Sequence, residues 1–193
     1  MKILFFSTYF YPYTSGLTIY PYKILKYLSK KQKIMVLTFN HSENLLKISN
    51  FKFQIYRLPY LFKISKGFIS PQSLKFFYKE ALKSDLIILN IPNFEGLPLA
   101  IIGKILNKRI ISIFHCQVHL EKNLINQLIE FFLNASVFLQ LLLSDKIIGY
   151  KDYISSLSLG RLLKKKFMFC LPPIEKQNMN FFFNKRQSDN ELI

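Results

Sequence analysis

The chain has 193 residues, enough for one domain with a packed core and too few for two full α/β domains. Half of it is hydrophobic (50%), with 20 Phe and 11 Tyr, which excludes intrinsic disorder outside the polar end. Lys and Arg total 27 against 11 Asp and Glu, a formal charge of +16, and no acid precedes Glu43, so the partner to look for is anionic.

Cys116 and Cys170 lie far apart, each in or beside an apolar strand-like run. That placement favours buried free thiols in a reducing compartment over a disulfide framework. In the opening stretch, MKILFFSTYFYP, the apolar run after Lys2 is too short for a signal peptide, and a cytoplasmic location is expected.

In chain order, Lys2 to Ser7 reads as a first strand that empties into an aromatic, turn-rich loop, Thr8 to Gly16. Gly16 opens a helix whose apolar positions, Leu17, Tyr20, Ile24, Tyr27 and Leu28, recur at three and four. Pro21 is tolerable only in a first helical turn, which places the regular start near Thr18. Lys33 to Phe39 is the second strand and Phe51 to Leu58 the third. From Arg57 to Lys83, the cations Arg57, Lys63, Lys66, Lys75, Lys79 and Lys83 interleave with aromatic residues against one acid, Glu80. Such a segment suits an anionic membrane surface, and equally a helix with a solvated Lys face over a core stripe.

Asp85 to Asn90 is the fourth strand, followed by a helix from about Phe94 to Asn107; Arg109 to Phe114 is the fifth. Glu121 to Leu143 is a long apolar helix with its polar residues largely on one side. Glu130 and Asn134 interrupt it, so a buried or docking helix is expected rather than a membrane span. Lys146 to Tyr150 is a sixth strand, Asp152 to Lys164 a helix, and Phe167 to Leu171 a seventh strand before Pro172 and Pro173.

Strands alternating with helices at this pitch specify an α/β fold, a doubly wound, mainly parallel Rossmann-like sheet of about seven strands. Ligands bind beyond the carboxyl ends of such strands. That edge collects the Thr8 to Gly16 loop, Asn90, His115 and Tyr150, and His115 is the first residue to explain because it stands one residue past a β-branched run. Together His115, Cys116 and His119 lack a fourth metal ligand, no nucleophile-elbow glycine motif supports hydrolysis, and no fold signature supports nucleic-acid binding.

The order and spacing of MKILFFSTYFYPYTSG, DLIILNIPN, NKRIISIFHC, SDKIIGYKDY and KKFMFCLPPIE resemble the N-terminal domain of family-4 glycosyltransferases of the GT-B class. The resemblance covers roughly residues 1 to 175, with 176 to 193 a polar tail that looks like the entry to a C-terminal donor-binding domain. It implies transfer of a sugar from a nucleotide-sugar, UDP- or GDP-linked, to a glycan or lipid acceptor, with retention and without a metal or other cofactor. By the same resemblance Ser15 and Gly16 meet the donor diphosphate, Ser15 standing where the family usually has a glycine. His115 is catalytic, and Asn90, Gln117 and Tyr150 serve the acceptor or sugar side. It further implies that the basic pair and paired-glutamate motif that hold the nucleotide belong to a domain beyond this stretch. This stretch alone would then be an incomplete hexosyltransferase; separately, the basic, aromatic segment from Arg57 to Lys83 is expected to hold it peripherally on the inner face of the membrane. The alternative is a non-catalytic membrane- or acceptor-binding module.

Overall fold

The computed structural model describes residues 1–40, 53–64, 67–119, 123–149 and 160–171. Nine strands are described: β1 (Lys2–Phe6), β2 (Lys33–Phe39), β3 (Gln54–Leu58), β4 (Phe62–Ile64), β5 (Gly67–Ile69), β6 (Leu86–Ile91), β7 (Arg109–Phe114), β8 (Lys146–Gly149) and β9 (Phe167–Phe169). Helices α1 (Gly16–Leu28), α2 (Pro71–Leu82), α3 (Gly96–Ile105), α4 (Leu124–Leu143) and α5 (Gly160–Leu163) connect them.

Seven strands make one sheet in the order β3-β2-β1-β6-β7-β8-β9, and every pairing in it is parallel. The chain winds outward from β1 in one direction and from β6 in the other, so the strand order reverses between them. At that reversal the crossovers leave on opposite faces and open a crevice at the carboxyl edge.

Parallel strands covered on both faces bury both sets of alternating side chains, which is why they read as apolar runs. On one face Ile3, Phe5, Ile88 and Ile113 pack with Tyr20 and Leu25 of α1. On the other, Leu4, Phe6, Leu89 and Phe114 pack with Phe77 of α2, Leu99 of α3, and Val137 and Leu141 of α4. In α2, Pro71 occupies the first turn, where its missing N–H costs nothing, and the Ser70 hydroxyl accepts from Ser73 N–H at 3.3 Å.

The structure departs from the sequence reading in four places. The helix α1 begins at Gly16 rather than near Thr18, and Pro21 lies inside it. The stretch after Arg57 contains an antiparallel hairpin, β4 with β5, that alternation alone does not predict because each strand has three residues. Phe68 and Phe77 of the same stretch are buried in the core, while Leu61, Phe62 and Tyr78 are exposed. Finally, of the buried or docking helix expected, α4 is not the buried one: Leu124 and Phe131 are 85% and 67% exposed. Tyr150, most of the predicted Asp152 to Lys164 helix and the 176–193 tail lie outside the described residues.

Candidate functional site

Register decides which residues meet at the crevice. Phe6 pairs with Leu89, and Asn90 pairs with Ile113, so Ser7, Asn90 and His115 continue the alternation of Phe5, Ile88 and Ile113. All three therefore point to the face covered by α1. Two loop hydrogen bonds extend the sheet past its last ladders: Ser7 N–H to Leu37 O at 3.1 Å and His115 N–H to Ile91 O at 3.2 Å.

Asn90 is the hub. Its Nδ2 donates to the Ser7 hydroxyl at 2.9 Å and to the Leu17 carbonyl at 2.9 Å. Ser7 Oγ in turn donates a hydrogen bond to Tyr9 O at 2.6 Å. Because a carbonyl only accepts, the amide nitrogen is the atom turned to Leu17, and Oδ1 is the atom turned to His115. The 2.8 Å contact between His115 Nε2 and Asn90 Oδ1 is thus an N–H donation, with Nδ1 as the unprotonated nitrogen.

His115 is 1% exposed, and burial lowers its pKa to about 4, so the ring is neutral at physiological pH. Tyr20 of α1 packs perpendicular to the imidazole, ring centroids 5.8 Å apart at 88°, and the Tyr20 hydroxyl donates to Cys170 O at 2.6 Å. His115 is therefore packed beneath α1 and touches the crevice through Asn90.

This network explains Pro21. A proline at position i removes the bond to the carbonyl at i−4, which here is Leu17. Asn90 supplies the missing donor, so the helix continues through Pro21 from Gly16. At the start of α1 the Ser15 N–H donates to Thr18 Oγ1 at 2.9 Å, and Thr18 Oγ1 donates to Tyr13 O at 2.6 Å. A Cβ added at Gly16 would meet nothing within 4 Å. No internal contact requires glycine there, and the space over it is open.

A cavity of about 270 Å³ lies on the other side of the same edge, lined by Thr8, Leu17, Glu95, Gln117, Ile129 and Leu133, among others. Leu17 joins the two halves of the site, with its carbonyl on Asn90 and its residue in the cavity wall. Gln117 belongs to this cavity wall and is not part of the Asn90 network.

Glu95 was not among the residues singled out by sequence. Its Oε1 accepts Phe68 N–H at 2.5 Å and its Oε2 accepts the Thr8 hydroxyl at 3.4 Å. Burial raises its pKa against those hydrogen bonds. The available signal was its isolation: it is the sole acid between Asp85 and Glu121 in a strongly basic chain, placed just beyond a strand's carboxyl end.

Glu95 is aimed by the residue that follows it. Gly96 N–H donates to Asn93 Oδ1 at 2.5 Å, and Gln140 Nε2 of α4 donates to Asn93 O at 2.8 Å. A Cβ at Gly96 would meet the side-chain ends of Gln140 and Asn93, so a larger residue displaces both and disturbs the hydrogen bonds that join α3, α4 and the loop after β6. The edge thus combines an exposed helix start, a neutral hydrogen-bonded core and a cavity with one buried carboxyl group.

No family model matches the chain, and no curated protein sequence does. Solved structures do. The Anabaena protein HepE in complex with UDP superposes with a TM-score of 0.65 at 13% identity, covering 91% of this chain and 45% of HepE. HepE in complex with UDP and glucose gives 0.62 at 15% identity over the same shares, 91% and 45%. MurG of Acinetobacter baumannii gives 0.50 at 13% identity, covering 79% of this chain and 42% of MurG. The chain spans about half the length of these solved relatives, and its fold is the α/β, Rossmann-like fold of GT-B glycosyltransferases.

Proposed function

We propose that the chain is the acceptor-side half of a glycosyltransferase that moves a sugar, with retention, from a UDP- or GDP-sugar to a glycan or lipid acceptor. The observation that carries this reading is the built crevice at the point of strand reversal, in a fold similar to that of HepE, itself solved with UDP. Ser15 and Gly16 are assigned to the donor diphosphate, because an uncrowded glycine at a helix start lets phosphate reach backbone N–H groups and the positive end of the helix dipole. A second domain completes the donor site in this proposal.

Since the His115 N–H is occupied by Asn90, His115 acts as a positioning residue. It holds Asn90, Asn90 holds Leu17, and Leu17 fixes the helix turn that carries Gly16. Glu95 and Gln117 are assigned to the acceptor. Glu95 stands where an acceptor hydroxyl entering the cavity finds a hydrogen-bonding carboxyl group.

The test is chain-dependent incorporation of label from a panel of radiolabelled UDP- and GDP-sugars. The purified chain is assayed alone and in an extract of the cells that make it, which supplies any second domain. Label entering glycan or lipid only when both chain and extract are present supports the proposal. Absence of chain-dependent incorporation from every donor contradicts it.

A further inference from the structure

Beyond the side that packs Leu133, Val137 and Leu141 into the core, α4 carries a second apolar side where a helix on the outside of a soluble domain is polar. Its inward side carries Gln140, which is fully buried, and Asn134 and Glu130 lie at its margin. Each has a protein partner: Gln140 on Asn93 O at 2.8 Å, Asn134 on Val118 O at 3.2 Å, and Glu130 on His119 at 3.1 Å. The side turned to solvent instead carries Leu124, Leu128, Phe131, Phe132, Leu139 and Leu142, all exposed. It bears no Lys, Arg, Asp or Glu.

At the carboxyl-terminal end of α4, Lys166 Nζ donates to Leu142 O at 2.6 Å and Ser144 O at 2.9 Å. That contact places the basic turn of Arg161, Lys164 and Lys165, with the exposed Leu162, beside the carboxyl-terminal end of α4. An alkyl and phenyl surface with a basic turn at one end, on a chain of formal charge +16, is complementary to an anionic bilayer: hydrocarbon against the helix face, acidic headgroups at the basic end. The helix has 20 residues, enough to cross a bilayer, yet its inner side is locked into the core by Val137 and Leu141. Lying in the interface satisfies both sides.

We propose that α4 seats the protein on an anionic lipid bilayer and thereby presents the adjoining cavity to a lipid-borne acceptor. Ile129 and Leu133 of α4 form the cavity wall, one turn from the exposed Ile125 and Phe132, so an acyl or polyprenyl chain follows apolar surface from bilayer to cavity. Glu95 and Thr8 receive its hydroxyl-bearing head. The seating stands by itself; the acceptor class rests on the glycosyltransferase reading.

The chain has no tryptophan, so Phe132→Trp gives a single reporter. With phosphatidylcholine vesicles containing phosphatidylglycerol its emission is expected to shift to the blue, and the purified chain to co-sediment at least tenfold more than with phosphatidylcholine alone. Leu128→Ser/Phe131→Ser lowers that partitioning at least tenfold with unchanged thermal unfolding. Leu61→Ser/Phe62→Ser, on an exposed apolar segment away from α4, changes it less than twofold. Equal binding to both vesicle types, or an unaffected α4 variant, overturns the seating. So does a dimer in solution that the α4 substitutions dissociate, because the face is then a self-interface. Label transferred to an organic-extractable product, and lost in the α4 variant, supports the lipid acceptor. Parent-rate transfer to soluble glycan by the α4 variant overturns it while leaving the glycosyltransferase reading intact. Vesicle binding without transfer from any donor overturns the lipid-acceptor half together with that reading, and leaves the seating in place.

Discussion

Asn90 donates its side-chain amide at 2.9 Å to the carbonyl of Leu17, the acceptor in α1 that Pro21 cannot serve. A local helix defect and a residue at the end of a central strand are thereby one structural unit. Asn90→Leu leaves the Leu17 carbonyl and the His115 N–H without this partner, and is expected to cost roughly 2–4 kcal/mol in urea unfolding. Pro21→Ala restores the backbone donor, so the same Asn90→Leu change made in Pro21→Ala is expected to cost about 1 kcal/mol less. A double-mutant cycle measures the difference; additive costs would show that the two positions are independent.

His115 makes stability depend on pH. The unfolded ring takes a proton near 6.5 and the folded ring only near 4, so the unfolded state binds more protons between those values. The contribution is present above pH 6.5 and is lost as pH falls toward 4, with a slope of about 1.4 kcal/mol per unit and a total of roughly 3 kcal/mol. Glu95, whose folded pKa is raised, works in the opposite direction over part of this window. The measurement is therefore the difference between parent and His115→Phe urea midpoints across pH 4 to 7. A parent slope that survives His115→Phe would contradict it.

Two glycines separate structural from functional need. Gly96→Ala places a methyl group on Gln140 Oε1 and Asn93 Oδ1 and is expected to destabilise by about 1–3 kcal/mol. Gly16→Ala enters open space and is expected to leave stability within about 0.5 kcal/mol, while a larger Gly16→Val raises the donor KM. Thermal unfolding of both alanine variants, with donor titration of Gly16→Val, checks the pair.

Glu95→Gln retains an oxygen for Phe68 N–H and removes a carboxyl group that burial disfavours in its charged form. Since the folded pKa is raised, the neutral amide is expected to raise Tm at pH 8 and to lose that advantage at pH 4. Acceptor KM is expected to rise about tenfold, the scale of one hydrogen bond to a charged group. A Tm gain with unchanged acceptor KM would make Glu95 a structural acid.

The central strands were legible because their burial on both faces leaves a continuous apolar run: β2 and β7 match the predicted Lys33–Phe39 and Arg109–Phe114 to the residue. The start of α1 was not, since the group that rescues Pro21 lies 73 residues away in sequence. Asn90 and His115 were found as strand-end polar residues, but their bond to each other depends on β6 and β7 being neighbours, which no local pattern states. Glu95 escaped for a similar reason: its partner, Phe68 N–H, sits on a hairpin too short to show a period. In α4 the separation of polar from apolar residues was visible, and the side that turns inward is the one that packs Leu133, Val137 and Leu141 into the core and lets Gln140 reach Asn93.

The most direct test of the account is turnover of His115→Ala in the reconstituted transfer reaction, at pH 7.5 where the fold is retained. If His115 fixes the turn of α1 that carries Gly16, through Asn90 and Leu17, kcat falls by about 10²-fold with acceptor KM little changed, the scale of a misplaced reacting group. Turnover within about threefold of the parent, less than 1 kcal/mol in barrier, would show that the imidazole only fills the core and that the site is not organised through it.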